Sequence, residues 1–266
     1  MRLFVAGLRK LVRRPATFVT FGLLVGLLAL IYLAVGATAK QQPTATGAQQ
    51  ALLLVTFPDA YSILLSFILG LGGLFAMIYG AAIAGSEWTW GTLKAAVARG
   101  ESRSRYQLLT FASIGAMVGV GLLIAFAIGI VVAIIAAGLA GVSTAGVSDG
   151  ATLGTLPQLL ARGWLAMVEA GSLGFAIATL ARSQLAGIGV GIAVYFGEQF
   201  ASIFLPDIVK YMPFNAAAAV VRTSTAGGGG TVARLDPDVA LVVVTLWLLG
   251  ALFVTALFTE RAEISG

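Results

Sequence analysis

The sequence predicts an all-α integral membrane protein with six transmembrane helices. Of its 266 residues, 59% are hydrophobic and 10% are charged, whereas soluble domains carry about 25% charged residues. So few charged side chains cannot cover a surface that faces water. Apolar stretches of about 20 residues, which a helix needs to cross about 30 Å of hydrocarbon, occur six times along the chain.

The six predicted spans form one transmembrane domain over residues 17–259. They cover 17–39, 60–84, 109–140, 163–181, 185–205 and 239–259. The third is longer than one straight span needs and shorter than two spans of about 20 residues each. We interpret it as one tilted or protruding helix, because dividing it would move all later loops to the opposite side of the membrane.

The distribution of Lys and Arg predicts the orientation, since short cytoplasmic loops carry an excess of these residues. With six spans and a cytoplasmic N-terminus, eleven of the 16 Lys and Arg residues fall on the cytoplasmic side and five outside. Dividing the third span would transfer Arg182 and Arg261 to the outside. We therefore expect both termini to be cytoplasmic, with a short tail at 260–266.

Residues 1–16 are predicted to form an amphipathic helix that lies in the cytoplasmic interface of the bilayer. Apolar residues recur at helical spacing opposite a basic face: Phe4, Leu8, Leu11 and Val12 against Arg9, Lys10, Arg13 and Arg14. Pro15 ends the helix. The alternative is a signal peptide cleaved after "ATA" at 37–39, but the apolar run of about 20 residues exceeds the core of such a peptide.

The outer segments differ in composition. Residues 40–59 begin polar and become apolar, and residues 141–158 form a loop of small residues. The segment 206–238 is longer and mixed. Its "FNAAAAVVR" suits a short helix that lies on the outer leaflet or dips into it, and Gly227–Gly230 suits a flexible joint.

A polar segment at 85–106 separates the second and third spans. Trp88 and Trp90 suit the membrane–water boundary, and residues 92–99 are good helix formers followed by a C-capping Gly100. The segment therefore predicts a short helix across the cytoplasmic mouth. From the residues alone, a solvated turn whose charges only set the topology explains it equally well.

The same segment resembles the first cytoplasmic loop of six-span permeases of ATP-binding-cassette exporters. That loop carries Glu, three residues, Gly-Thr-Leu, a short helix and then usually Pro-x-Ser-Arg. The matching residues here are Glu87, Gly91, Thr92, Leu93, Ser102 and Arg103. Gly100 replaces the usual Pro, and a Lys often found after the Arg is missing. The basic N-terminus ending in "RRP", the tight fourth turn and "YMPFN" add to the likeness.

The resemblance implies that residues 88–99 form a coupling helix, which seats in a groove of a separate ATPase subunit. It implies two ATPase copies and a second permease copy or close homologue, in a cytoplasmic membrane of prokaryotic type. The residues expected to contact the ATPase or transmit its motion are Glu87, Gly91, Thr92, Leu93, Ala96, Val97 and Arg103. Leu93, Ala96 and Val97 share a helical face, which packs either into that groove or against span ends.

The chain lacks the sequence features of several other functions. It has no cysteine or histidine and no G-x-x-x-x-G-K-[ST] phosphate loop. We therefore expect no catalytic residues and no metal site, with ATP and Mg²⁺ bound by the partner ATPase. The net charge of +5 fits contact with anionic lipid in the bilayer, and we expect no nucleic acid partner.

Two acidic side chains and one amide side chain fall inside predicted spans. Glu169 lies in the fourth span, and Glu198 and Gln199 lie in the fifth. Each Glu is seven residues from an outer end, which is about 10 Å along a helix, so both could share one level. They either line a cavity or brace helices, or they only form hydrogen bonds to neighbouring backbone or to Arg162. Gly187 and Gly191 have the small-xxx-small spacing of close helix packing.

Two other classes of function compete with the exporter subunit. A secondary transporter or channel would favour broken helices, inverted repeats and several midplane charges. Neither a repeat nor an ion-binding cluster is visible in the sequence. A membrane scaffold without transport activity is the third possibility. An ATPase encoded beside this chain would favour the exporter.

Overall fold

A computed structural model of the protein describes residues 2–39, 49, 51–221 and 235–262, and these form helices joined by short turns, without strands. The helices are α1 (Arg2–Val12), α2 (Pro15–Thr38), α3 (Asp59–Thr89), α4 (Thr92–Ala98), α5 (Arg103–Ala140), α6 (Gly150–Ala181), α7 (Gln184–Ala201), α8 (Pro206–Val209), α9 (Pro213–Val220) and α10 (Pro237–Arg261). A short 3-10 turn, Ala145–Ser148, precedes α6.

Five of these helices are long and apolar enough to cross a membrane: α2, α3, α5, α6 and α10. The prediction of a helical multi-pass membrane protein is therefore confirmed. Helix α7, the counterpart of the predicted span 185–205, is not among the five. It has 18 residues and carries Glu198 and Gln199 near its end. The count of six spans stays a prediction.

The structure corrects several predicted boundaries. The third apolar run, 109–140, lies within one helix, as interpreted from the sequence, but that helix begins six residues earlier, at Arg103. By contrast, the loop predicted at 141–158 is wrong from Gly150 onward, where α6 begins 13 residues before its predicted start at 163. Asp149 caps this helix by accepting a hydrogen bond from the amide of Thr152 at 2.9 Å. The hydroxyl and amide of Thr152 together lower the pKa of Asp149.

The long helices alternate in direction between two ends of the bundle. At one end, which we call the turn end, the Arg182 guanidinium lies 5.2 Å from the Trp88 ring, and Arg103 reaches the carbonyl of Ala262. At the opposite end, the Tyr61 hydroxyl donates to the carbonyl of Val147 at 2.7 Å. Since α1 also packs at the turn end, both described ends of the chain lie there.

Helices α3 and α6 form the centre of the bundle and are its most buried long helices. Their backbones nearly touch. A Cβ atom built on Gly80 would lie 2.1 Å from the carbonyl oxygen of Gly171, and one on Gly174 would lie 2.0 Å from that of Met77. Only glycine permits so close an approach at these positions.

Some predicted features lie outside the described residues. They are the polar start of the first outer segment (40–48), most of the second half of 206–238, with its Gly227–Gly230 joint, and the last four residues of the tail. Within the described part of 206–238, the "FNAAAAVVR" stretch forms α9, from Pro213 to Val220.

Candidate functional site

A buried carboxylate, Glu87, connects four helices at the turn end. Its side chain is fully buried in the last turn of α3. It forms an ion pair with Lys10 of α1, and its Oε1 lies 3.8 Å from Nη2 of Arg14. On the other side it accepts hydrogen bonds from the hydroxyls of Thr92 in α4 and Tyr106 in α5. The motif residue Glu87 is thus a junction between the N-terminal helix and the predicted coupling segment.

Two glycines allow the chain to make this junction. Gly91 follows α3 with a φ of +63°, and Gly100 follows α4 with a φ of +86°. Both angles lie in the left-handed region, which other residues adopt only with strain. The chain can therefore leave α3, form the single short helix α4 and turn again into α5, and Thr92 returns its hydroxyl to Glu87.

Helix α4 packs on its own chain through the face that the sequence marks as apolar. Leu93 and Ala96 are each only 1% exposed, and the helix contacts α3 and α5. Val97 is half-buried. Of the two alternatives for this face, packing against the neighbouring helix ends is therefore the one seen in the isolated chain. The outward face is a different one, formed by Lys94, Ala95, Ala98 and Arg99.

The structure places Arg103 away from Glu87, at the start of α5. Its guanidinium donates to the carbonyl of Ala262 at 2.7 Å and to that of Glu260 at 3.3 Å. The amide of Ser104 also donates to the Glu260 carboxylate, at 3.1 Å. Arg103 therefore ties the start of α5 to the end of α10.

The two tryptophans extend the network around the turn end. The Arg14 guanidinium lies 4.9 Å from the centre of the Trp90 ring, and Nη1 of Arg14 donates to Ser86 at 2.8 Å. The Arg182 guanidinium, after α6, lies over the rings of both Trp88 and Phe258 of α10, which contact each other. The sequence placed these rings at the boundary but did not show that they pair with cations.

Three residues that contact Glu87 were not predicted from the sequence to do so: Lys10, Arg14 and Tyr106. Lys10 and Arg14 are four residues apart, on the same side of the N-terminal segment, and the excess of basic residues there was read as lipid-facing. That spacing was the available signal. It could not reveal that the cations turn toward a carboxylate more than 70 residues later in the chain.

A cavity of about 390 Å³ lies beside the junction, between α1, α3, α4 and α5. Glu87, Lys10, Thr92, Arg99 and Tyr106 contribute its polar wall. The rest of the lining comes from all four helices and includes Leu3 and Leu11 of α1 and Ile83 of α3. The cavity separates part of α1 from α4. The contacts of Glu87 with Lys10 and Thr92 therefore connect these two helices.

Of the acidic and amide residues predicted inside spans, Glu169 and Glu198 lie in the interior of the bundle and Gln199 is exposed. Glu169 of α6 is fully buried and Glu198 of α7 is 6% exposed. The backbone amide and the side-chain amide of Asn215 both donate to Oε2 of Glu198, each at 3.1 Å. Gln199 instead lines a cavity of about 170 Å³. Asn215 is thus a hydrogen-bond partner of Glu198 that the sequence did not indicate.

Gly187 and Gly191 lie where α7 approaches its neighbours. A Cβ atom on Gly187 would be 2.5 Å from the Cβ of Ala178 in α6. One on Gly191 would be 2.4 Å from the sulfur of Met77 in α3. Both glycines are buried, so they let α7 lie against the two central helices.

Comparison with protein-family models and with curated proteins finds no match to this chain. In the described part of the chain, there is also no group of three or more acidic, cysteine or histidine side chains that could hold a metal ion. The candidate sites of the protein are therefore the Glu87 junction and the buried Glu169 and Glu198.

Proposed function

We propose that the chain is the membrane-spanning subunit of an ATP-binding-cassette exporter. It pairs with a second copy or close homologue and with two ATPase subunits, which bind ATP and Mg²⁺, in a prokaryotic cytoplasmic membrane. The observation that carries the proposal is the Glu87 junction. It holds a short exposed helix, α4, between two long helices, at the position where the resemblance predicts a coupling helix.

The junction gives α4 the mechanical properties that coupling requires. A partner that pushes on Lys94, Ala98 and Arg99 moves a rigid helix whose opposite face, Leu93 and Ala96, packs on the long helices. Glu87 bonds α1, α3, α4 and α5 at one point. A push on α4 therefore displaces those helices together, as a rigid body, where a flexible loop would absorb the motion.

The helix arrangement supports the predicted topology. Six long helices alternate in direction if α7 is included, and α7 spans about 27 Å at 1.5 Å per residue. That length is close to the hydrocarbon thickness of about 30 Å. Both described ends of the chain and α4 lie at the turn end, which also carries most of the basic residues and is therefore the cytoplasmic side.

A secondary transporter is a second candidate, and one observation favours it. Glu169 and Glu198 are acidic side chains buried in the bundle, and such residues mark ion or substrate sites in transporters. Whether transport depends on ATP distinguishes the two functions, because a secondary transporter needs no ATPase. No observation favours a membrane scaffold without transport activity.

The test is co-expression of the full chain with a cassette-type ATPase encoded beside it. We expect a complex of two copies of each, with ATPase activity that rises on reconstitution with the chain in liposomes. Ala98→Asp, on the outward face of α4, should abolish both. Ala151→Asp makes the same change on an exposed position at the opposite end and should leave both intact. A chain that forms no such complex contradicts the proposal.

A further inference from the structure

We propose that the helix bundle binds an organic monocation in the cavity between α3, α6, α7 and α9, beside the carboxyl groups of Glu169 and Glu198. The inference concerns what the bundle binds and does not require an ATPase partner. The exporter proposal and this one can therefore fail separately.

The cavity has the size and lining of a small-ligand site. Its volume of about 170 Å³ suits a small amine head group, and its polar atoms come from Ser66, Tyr195 and Gln199. The rest of the wall is apolar, with Met167 and Phe214 among its members. Binding sites for small molecules combine an apolar wall with a few placed polar groups in this way.

Two aromatic rings form one corner of the cavity. Tyr195 and Phe214 both line it, with ring centres 5.0 Å apart and planes at 82°. The Tyr195 hydroxyl donates to the carbonyl of Gly70 at 3.3 Å, which fixes the ring. The negative face of an aromatic ring attracts alkylammonium groups. The corner therefore favours a cation that carries methyl or methylene groups.

The buried carboxyl groups lie on the helix faces that carry wall residues, although neither one lines the cavity itself. Glu169 is three residues from Ala166 and Glu198 is three residues from Tyr195, and residues three apart share a face of a helix. Glu169 is close enough to Glu198 for their charges to interact. Both oxygens of Glu169 and Oε1 of Glu198 are buried and have no hydrogen-bond partner within the described residues. The carboxyl groups of Glu169 and Glu198 therefore have too few hydrogen-bond donors and no positive charge bonded to them within the described residues.

A cation in the cavity supplies what the pair lacks. Two carboxylates in a low-dielectric interior repel each other, and a positive charge nearby offsets that repulsion. The basic residue of α6 on the same side, Arg162, lies two helical turns away and pairs with Asp238. A hard metal ion fits less well, since it requires about six or more oxygen ligands. An ammonium group needs only the aromatic faces and the charge.

The test measures binding of tetramethylammonium to the full chain in lipid nanodiscs by calorimetry. We expect saturable binding, and none for uncharged tert-butanol, which has a similar shape. Glu169→Gln and Glu198→Gln should each weaken binding about tenfold, because each removes one charge from a desolvated pair. Asp207→Asn removes an exposed carboxylate and should change nothing.

A second pair of variants keeps the proposal testable if a Gln variant fails to fold. Tyr195→Phe retains the ring and should bind almost as well as the natural chain, whereas Tyr195→Leu should bind about fivefold more weakly. Absence of saturable binding in the natural chain overturns the proposal. So does equal binding by the folded Gln variants, or by the Phe and Leu variants.

Discussion

Lys10 and Glu87, 77 positions apart in the chain, form an ion pair that joins the N-terminal helix to the last turn of α3. The carboxylate is fully buried, while the lysine side chain remains about one-third exposed. The N-terminal helix is therefore held to the bundle by a specific contact as well as by its apolar face. It is a structural part of the turn end, and a displacement of α4 reaches it through Glu87.

The first prediction concerns the buried charge of this ion pair. Glu87→Gln should lower the stability of the chain by about 3 kcal/mol, because it leaves Lys10 and Arg14 without their carboxylate. Thermal unfolding of the full chain in detergent measures this. Glu101→Gln, in the nearby turn, should not change the melting temperature. If both variants melt like the natural chain, the junction does not contribute to stability.

The second prediction separates the two faces of α4. Leu93→Asp should destabilise the chain by about 3 kcal/mol, because it places an unpaired charge in a contact that is buried within the chain itself. Ala98→Asp, on the outward face, should leave unfolding unchanged and act only on ATPase binding. Thermal unfolding and co-purification with the ATPase, measured on both variants, test whether the two faces of α4 differ in this way. A stable Leu93→Asp protein that has lost only its partner would show that Leu93 faces the ATPase.

The third prediction tests the close contact of α3 with α6. Gly80→Ala should cost about 2 kcal/mol of stability, because the new Cβ meets the backbone carbonyl of Gly171 and the helices must separate. Gly70→Ala is the matched control on the same helix. A Cβ there meets nothing within 4 Å, so this variant should unfold like the natural chain. Equal melting temperatures for the two variants would contradict the contact.

The fourth prediction is the membrane topology. The chain has no cysteine, so single cysteines can be labelled without background. A cysteine at Thr144 should react with a membrane-impermeant maleimide in intact cells, and one at Ala98 should react only after the cells are opened. Both positions are exposed and lie at opposite ends of the bundle. Labelling of Ala98→Cys from outside would reverse the orientation.

Much of the fold could be predicted because the length and hydropathy of an apolar stretch are properties of the local sequence. The run 109–140 was predicted as one helix from its uninterrupted apolar character, whereas the polar first turns of α5, from Arg103, were not. The start of α6 could not be predicted in the same way. Residues 150–158 are rich in Gly and Thr, which favour loops. The cap from Asp149 and packing within the bundle outweigh that preference.

The candidate sites were predictable only in part, for a related reason. A motif marked Glu87, and a charge inside an apolar run marked Glu169 and Glu198. Their partners are tertiary: Tyr106 lies across a turn and Asn215 lies on another helix. Helical spacing also identified the apolar face of α4, but spacing alone does not state whether such a face meets its own chain or another protein.

The shared position of the two described chain ends bears on how this protein can be joined to others. Arg2 begins α1 and Ala262 follows α10, both at the turn end. Two copies could thus be fused head to tail by a short hydrophilic linker, without an extra crossing, and each half would keep its native orientation. Gene duplication and fusion could convert two such chains into one by the addition of a linker alone.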